Sequence, residues 1–260
     1  MPCNPGKVIL VGAGPGPADL LTVRAVRALE AAEAVLYDAL VGDDVLALAP
    51  AACLKLQTGK RSGKASMDQE MINQLMLRLA RRGLRVVRLK GGDPSVFGRS
   101  GEEVEFLRAH GVDVEIVPGV TAACAAAAQF AFPLTHRGEA RRLVLATLRV
   151  RDGRMVEEGW PGLADPEATL CLYMGRDCAR AAAARLIAEG LAPYTPAIAV
   201  ENAGGPGARL LRAELGELGD VVEAAAPAGP VLLVIGKSVA RARSVGEESF
   251  PDEIERALFG

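Results

Sequence analysis

The chain has 260 residues, half of them hydrophobic, and a formal net charge of −2, enough for one large or two ordinary domains and too apolar for general disorder. An aromatic share of 4% argues against a base-stacking nucleic-acid platform, and the small charge removes any global attraction to nucleic acid or an anionic membrane. The five cysteines, odd in number and in no C-x-x-C pair, read as free thiols of a reducing cytoplasm, and with only His110 and His136 present no histidine-based metal site is expected.

The opening MPCNPGKVILVG carries one lysine and an apolar run too short for a signal peptide, and the alanine-rich stretch 122–131 is too short to span a bilayer. A soluble cytoplasmic protein is therefore expected. Lys7–Val11 reads as the first strand, followed by the turn Gly12-Ala13-Gly14-Pro15-Gly16-Pro17 and a helical pattern through Leu29. The turn invites a dinucleotide-binding reading, and Asp38, after the strand Ala34–Tyr37, stands where a ribose-binding acid would. Against that, the fingerprint's third glycine is Pro17, and neither Pro15 nor Pro17 has an N–H to offer a phosphate. Asp38 also reads as a turn or helix-capping residue before Ala39-Leu40.

Val41–Leu48 suggests a helix and Leu54–Leu56 a short strand. The loop Thr58-Gly59-Lys60-Arg61-Ser62-Gly63-Lys64 carries three cations, as a solvated surface loop or an anion-binding one would. Ser66 with Gln69 resembles a capping box for a helix with Ile72, Leu75, Met76 and Leu79 at helical spacing, closed by Gly83. Val86, Val87 and Leu89 form a buried-strand run that stops at Gly91-Gly92-Asp93-Pro94, either a plain turn or a strand end whose bare backbone a ligand can approach. A helix over Gly101–His110 and a strand over Val114–Val117 lead to Pro118-Gly119-Val120-Thr121 and an alanine-rich helix. Most of its alanines read as core, with Thr121 and Ala122 at the helix start, where free N–H groups point outward.

Phe132–Gly138 breaks the pattern, and the domain boundary is placed there: an N-terminal α/β domain over 1–137, a C-terminal α/β domain over 138–243, and an acidic tail or short helix over 244–260. The second half restarts with strands at Arg142–Ala146 and Thr169–Met174, a helix over 177–189, strands at Ala197–Val200 and Pro230–Ile235, and a glycine-rich loop over 201–209.

The ordered set VGAGPG, YDALV, TGKRSG, RLKGGDPSVFGRSGEE, VPGVTAA, PLTHRG, YMG and VEN, from about residue 7 to 240, resembles the tetrapyrrole methylase family. The resemblance implies two α/β domains with S-adenosyl-L-methionine in the cleft between them, usually in a homodimer. It implies methyl transfer to C2 and C7 of uroporphyrinogen III. Cofactor contacts would come from Pro15, Gly91, Gly92, Asp93, Val96, Thr121, Ala122, Met174 and Ala203. Asp38 would be the proton acceptor and Lys60 the proton donor. A substrate with eight carboxylates would be met by the motif-loop cations Arg61, Lys64, Arg99, His136 and Arg137, and Arg149, Arg151 and Arg154 either add to them or form a solvated loop. The sequence departs from the family at Thr147-Leu148-Arg149, where Thr-Gly-His is common, at Lys237, where an acid is common, and at Pro17-Ala18, where Asp-Pro is frequent. Remaining alternatives are a sister corrin-pathway precorrin methyltransferase, an NAD-dependent oxidoreductase motivated by the first glycine loop with Asp38, and a catalytically silent tetrapyrrole-binding scaffold.

Overall fold

In the computed structural model, which describes residues 6–59, 67–147, 150–151, 154–155, 160 and 162–243, the aliphatic runs of the first half become a parallel sheet. The elements are β1 (Val8–Gly12), α1 (Val23–Glu30), β2 (Ala34–Tyr37), α2 (Asp43–Leu46), β3 (Leu54–Gln57), α3 (Gln69–Arg81), β4 (Val86–Lys90), α4 (Ser100–Ala109), β5 (Val114–Val117) and α5 (Ala122–Gln129). The strand order is β3-β2-β4-β1-β5, every pairing parallel. Side chains alternate across the sheet. Val11, Val35, Val87 and Leu89 pack with Ala25 and Leu29 of α1 and Val45 of α2. Val8, Leu10, Leu36 and Val86 pack with Met76 of α3 and Leu107 of α4. The chain thus leaves β1 toward one face and leaves its neighbour β4 toward the other. Such a switch point opens a crevice at the carboxyl ends of the two strands, where parallel sheets bind ligands.

The α3 cap differs from the Ser66 capping box read from the sequence. The helix begins at Gln69, and Asp68 is its N-cap, accepting the Met71 N–H at 2.7 Å; Ser66 lies outside the described residues. A carboxylate at this position also answers the partial positive charge of the helix start. Asp68→Ala should lower stability by about 1 kcal/mol, seen as a reduced urea midpoint at unchanged m-value. The expected helix over 41–48 is confined to Asp43–Leu46, entered through Gly42 and followed by Pro50.

The chain divides into two compact units, one running to Ala125 and including Gly204–Gly207, the other holding Ala126–Ala203 and the residues from Ala208 on. The division falls inside α5 and not at 137/138. The second unit contains β6 (Arg142–Thr147), β7 (Val150–Arg151), β8 (Arg154–Met155), β9 (Ala168–Tyr173), α6 (Ala179–Ala188), β10 (Pro196–Glu201), β11 (Arg209–Glu214), α7 (Leu218–Ala225) and β12 (Val231–Ile235). Its main sheet runs β11-β10-β12-β9-β6, parallel only between β6 and β9, and β7 and β8 pair as a small antiparallel ribbon. Leu170, Leu172, Ala197, Ala199, Leu233 and Ile235 bury one face against Leu186 of α6 and Leu218 and Val222 of α7. Neither β11 nor α7 is expected from the sequence. In α7 the weak signal has a packing cause: a Cβ on Gly219 would sit 2.7 Å from the Arg180 Cα, so a poor helix former is what lets α7 lie against α6. The segment 244–260 lies outside the described residues.

Candidate active site

At the carboxyl ends of β1 and β4 the backbones approach one another closely. A Cβ on Gly12 would fall 2.6 Å from the Gly119 Cα, and one on Gly119 would fall 2.3 Å from the Gly92 carbonyl oxygen, so three strand ends touch through glycine alone. The loops after β1 and β4 are tied by a two-residue bridge: Gly14 N–H donates to the Gly92 carbonyl (3.2 Å) and Gly92 N–H to that of Gly14 (2.7 Å). Both residues have positive φ, 69° and 68°, which glycine adopts without strain. Asp93 braces the arrangement, its Oδ1 accepting the Ser95 N–H (2.7 Å) and its Oδ2 that of Gly119 (2.9 Å). A Cβ on Gly92 would meet nothing nearer than the Thr121 Cα at 4.0 Å, so open space faces that strand end. Val96 closes the turn by donating its N–H to the Asp93 carbonyl, and the Thr121 carbonyl accepts the Ala125 N–H at the start of α5. The structure therefore brings Gly91, Gly92, Asp93, Thr121 and Ala122 together, with Val96 in the adjoining turn. Pro15 stands on the partner loop, where Gly204 approaches so closely that a Cβ there would meet the Pro15 ring at 2.5 Å. A half-buried, glycine-rich strand end of this kind fits a nucleoside-bearing cofactor.

Asp38 follows β2 on the face of the sheet that α3 and α4 cover. Among the described residues its carboxylate caps no helix. Oδ1 accepts Nη2 of Arg88 at 2.5 Å, while its main-chain carbonyl accepts the Val41 N–H in a turn. Arg88 and Lys90 alternate with Val87 and Leu89 along β4, so both point toward α3 and α4, where Glu103 receives them. Arg88 Nε lies 3.3 Å from Glu103 Oε1, and Lys90 Nζ contacts both oxygens at 3.0 and 2.9 Å. Gln69 donates to Glu103 Oε1 and to Asn73 Oδ1. Glu103 is wholly buried and the side chains of Arg88 and Lys90 nearly so, while Asp38 remains 32% exposed. Burial, and then the neighbouring Arg88, push the Lys90 ammonium below its usual range; Glu103 partly offsets them. None of Arg88, Lys90, Glu103 or Gln69 is identified as a site residue from the sequence. The available signal was two cations at period two inside a central parallel strand, where near-continuous apolar residues are the rule.

Around the same strand end the backbone is strained. Phe97 and Arg99 hold φ near +55°, a conformation costly for non-glycine residues and commonest at functional sites. Arg99 is engaged by Glu102 through two bonds of 2.7 and 2.6 Å, which raises the arginine's pKa and lowers the carboxylate's. Lys60, Arg61, Lys64 and Arg149 lie outside the described residues, and of Arg151 and Arg154 only the backbone is described.

In the second unit, β9 and β10 each end on a left-handed residue, Met174 (φ 57°) and Asn202 (φ 52°). Met174 is 64% exposed, and the Thr147 hydroxyl lies 3.9 Å from its sulfur. Ala203 is buried after Asn202. Glu201 secures that loop by accepting the Gly229 N–H at 2.7 Å and Arg209 Nε at 2.5 Å, which lower its pKa. His136 approaches the Arg137 carbonyl (3.0 Å) and Glu139 (3.7 Å), and Arg137 is exposed. Among the described residues, no group of three or more His, Cys, Asp or Glu is placed to hold a metal ion, and no helix is long and apolar enough to cross a membrane.

The model of the tetrapyrrole (corrin/porphyrin) methylases matches residues 7–219. The chain is 47% identical over 232 residues to the uroporphyrinogen-III C-methyltransferase of Pseudomonas aeruginosa, covering 89% of this chain and 94% of that protein. It is 44% identical over 241 residues to the chloroplastic S-adenosyl-L-methionine-dependent uroporphyrinogen III methyltransferase of Arabidopsis thaliana, covering 91% of this chain. It spans 64% of the length of that plant protein and 49% of the siroheme synthase of Nitrosospira multiformis. The crystal structure of uroporphyrin-III C-methyl transferase from Thermus thermophilus with S-adenyl homocysteine superimposes with a TM-score of 0.77 at 43% identity, covering 90% of this chain and 99% of the other.

Proposed function

Because the chain belongs to the tetrapyrrole methylase family, we propose that it is an S-adenosyl-L-methionine-dependent C-methyltransferase that converts uroporphyrinogen III to precorrin-2 by methylation at C2 and C7. The observation that carries this reading is the pairing of glycine-rich strand ends at the switch point with a partly exposed carboxylate, Asp38, held by a buried arginine on the adjoining strands. When bound, the cofactor supplies an electrophilic methyl group on a sulfonium sulfur. Everything else falls to the protein.

The backbone of Gly91 and Gly92, with Pro15, Asp93, Val96, Thr121 and Ala122, would hold the cofactor on the first unit. Orienting the pyrrole carbon behind the methyl group contributes roughly 7–11 kcal/mol to lowering the barrier. Attack by carbon leaves a cationic macrocycle with one proton too many. Asp38 takes that proton, an assistance worth about 10²–10⁴-fold in rate, and Lys60 is assigned as proton donor. Arg61, Lys64, Arg99, His136 and Arg137 are assigned to the substrate carboxylates, each charge-assisted bond contributing about 1.5–3 kcal/mol. Charge is managed by side chains, and the scheme uses no metal ion. We place the enzyme in the cytoplasm, consistent with the free Cys53, Cys124, Cys171 and Cys178, and as a homodimer, to be checked by light scattering.

Anaerobic incubation with uroporphyrinogen III and S-adenosyl-L-methionine, followed by mass spectrometry, tests the reading. Two added methyl groups are expected. A product with one or three assigns the chain to another corrin-pathway step, and no product from a protein that binds the cofactor makes it a silent scaffold.

A further inference from the structure

The charges behind Asp38 form a chain of alternating sign that ends in the interior. Glu103 lies within it between Arg88 and Lys90, wholly buried in the first turn of α4, where it cannot reach a substrate. Its Oε1 accepts three donors, Lys90 Nζ, Arg88 Nε and Gln69 Nε2, and its Oε2 accepts Lys90 Nζ again. Lys90 alone, bonded to both oxygens, neutralises the Glu103 charge. The contact to Arg88 Nε therefore does something more, and the geometry of Arg88 indicates what. Its guanidinium is held at three corners: Nε by Glu103, Nη1 by the Leu89 carbonyl at 3.2 Å, and Nη2 by Asp38. With the first two fixed from inside, the plane of the group is set and Nη2 is aimed at the one carboxylate of the four-charge group that is not buried. Stability alone is a weak reason for such an arrangement, since well-packed apolar side chains often serve a buried position as well as an ion pair does.

We propose that Glu103 is a positioning residue for the reaction: it fixes the Arg88 guanidinium from the interior, Arg88 in turn fixes the Asp38 carboxylate, and Lys90 balances the charge that Glu103 brings into the core. This rests on the reading of Asp38 as the proton acceptor. Removing the Glu103 charge leaves Arg88 Nε with a weaker acceptor and lets the guanidinium turn, so Asp38 loses its fixed aim at the macrocycle while the glycine cradle is untouched.

The test compares Glu103→Gln, the charge-balanced pair Lys90→Met/Glu103→Gln, and Asp38→Asn in the full chain. The readouts are kcat and KM with uroporphyrinogen III, calorimetric affinity for S-adenosyl-L-homocysteine, and thermal midpoint. Glu103→Gln should lose roughly 10- to 100-fold in kcat, the scale of one charge-assisted hydrogen bond expressed as rate, with KM and S-adenosyl-L-homocysteine affinity within about twofold of wild type. The charge-balanced pair should regain thermal stability without regaining kcat. It also decides the matter should Glu103→Gln fail to fold. A folded Glu103→Gln with wild-type kcat, or a charge-balanced pair whose kcat recovers along with its stability, overturns the positioning role while leaving Asp38 in place. Full turnover by Asp38→Asn overturns the functional reading and the positioning role with it.

Discussion

Asp38→Asn should retain the wild-type affinity for S-adenosyl-L-homocysteine and lose about 10²–10⁴-fold in turnover, the usual contribution of a positioned general base. Asparagine keeps the size of the side chain and an oxygen that accepts from Arg88 Nη2, so the 2.5 Å contact has a substitute and the fold should survive. What asparagine cannot do is take a proton from the methylated macrocycle. Nor does Asp38 belong to the cradle: the bonds that join the strand ends there run through Gly14, Gly92, Asp93 and Gly119. Binding and turnover should therefore separate. Titration calorimetry and a single-turnover methylation assay on the same preparation check this, and unchanged turnover removes Asp38 from the mechanism.

Strand ends were legible in the sequence because glycine punctuates them. β2 and β5 fall on the residues read as strands, Ala34–Tyr37 and Val114–Val117, and the Gly91-Gly92-Asp93 stop lies at the carboxyl end of the central strand as its composition requires. The interior of that strand was not legible. Val86, Val87 and Leu89 are apolar enough to hide the alternation that sends Arg88 and Lys90 to one face, and only the packing of Gln69 and Glu103 against them shows that two buried cations are compensated. Backbone strain escaped for a different reason. Phe97, Arg99, Met174 and Asn202 all adopt positive φ, and apart from asparagine nothing in these residue types advertises a left-handed conformation imposed by tertiary contacts. β11 and α7 were missed because the edge strand Arg209–Glu214 carries a charge at each end and Gly219 weakens the helical pattern next to it.

Gly119→Ala should disable the cradle. The new methyl carbon would lie 2.3 Å from the Gly92 carbonyl oxygen, 2.8 Å from the Gly12 Cα and 3.0 Å from the Gly12 carbonyl carbon, and all three are backbone atoms that no rotamer change can move aside. Relief requires the β5 loop to back away from the ends of β1 and β4. That movement stretches the Gly119 N–H bond to Asp93 Oδ2, which also supports the turn through Ser95. Overpacking of this kind costs about 1–3 kcal/mol, and here it falls on the residues assigned to the cofactor. A lowered thermal midpoint is expected together with at least a tenfold loss of S-adenosyl-L-homocysteine affinity, a conversion of about 1.4 kcal/mol per decade. Gly101→Ala supplies the contrast, since a Cβ there meets nothing within 4 Å and the residue lies in the first turn of α4; stability should hold or rise by up to about 1 kcal/mol. If Gly119→Ala binds S-adenosyl-L-homocysteine as tightly as Gly101→Ala does, the contact of three glycine strand ends is a packing feature of the sheet and the cofactor is held elsewhere.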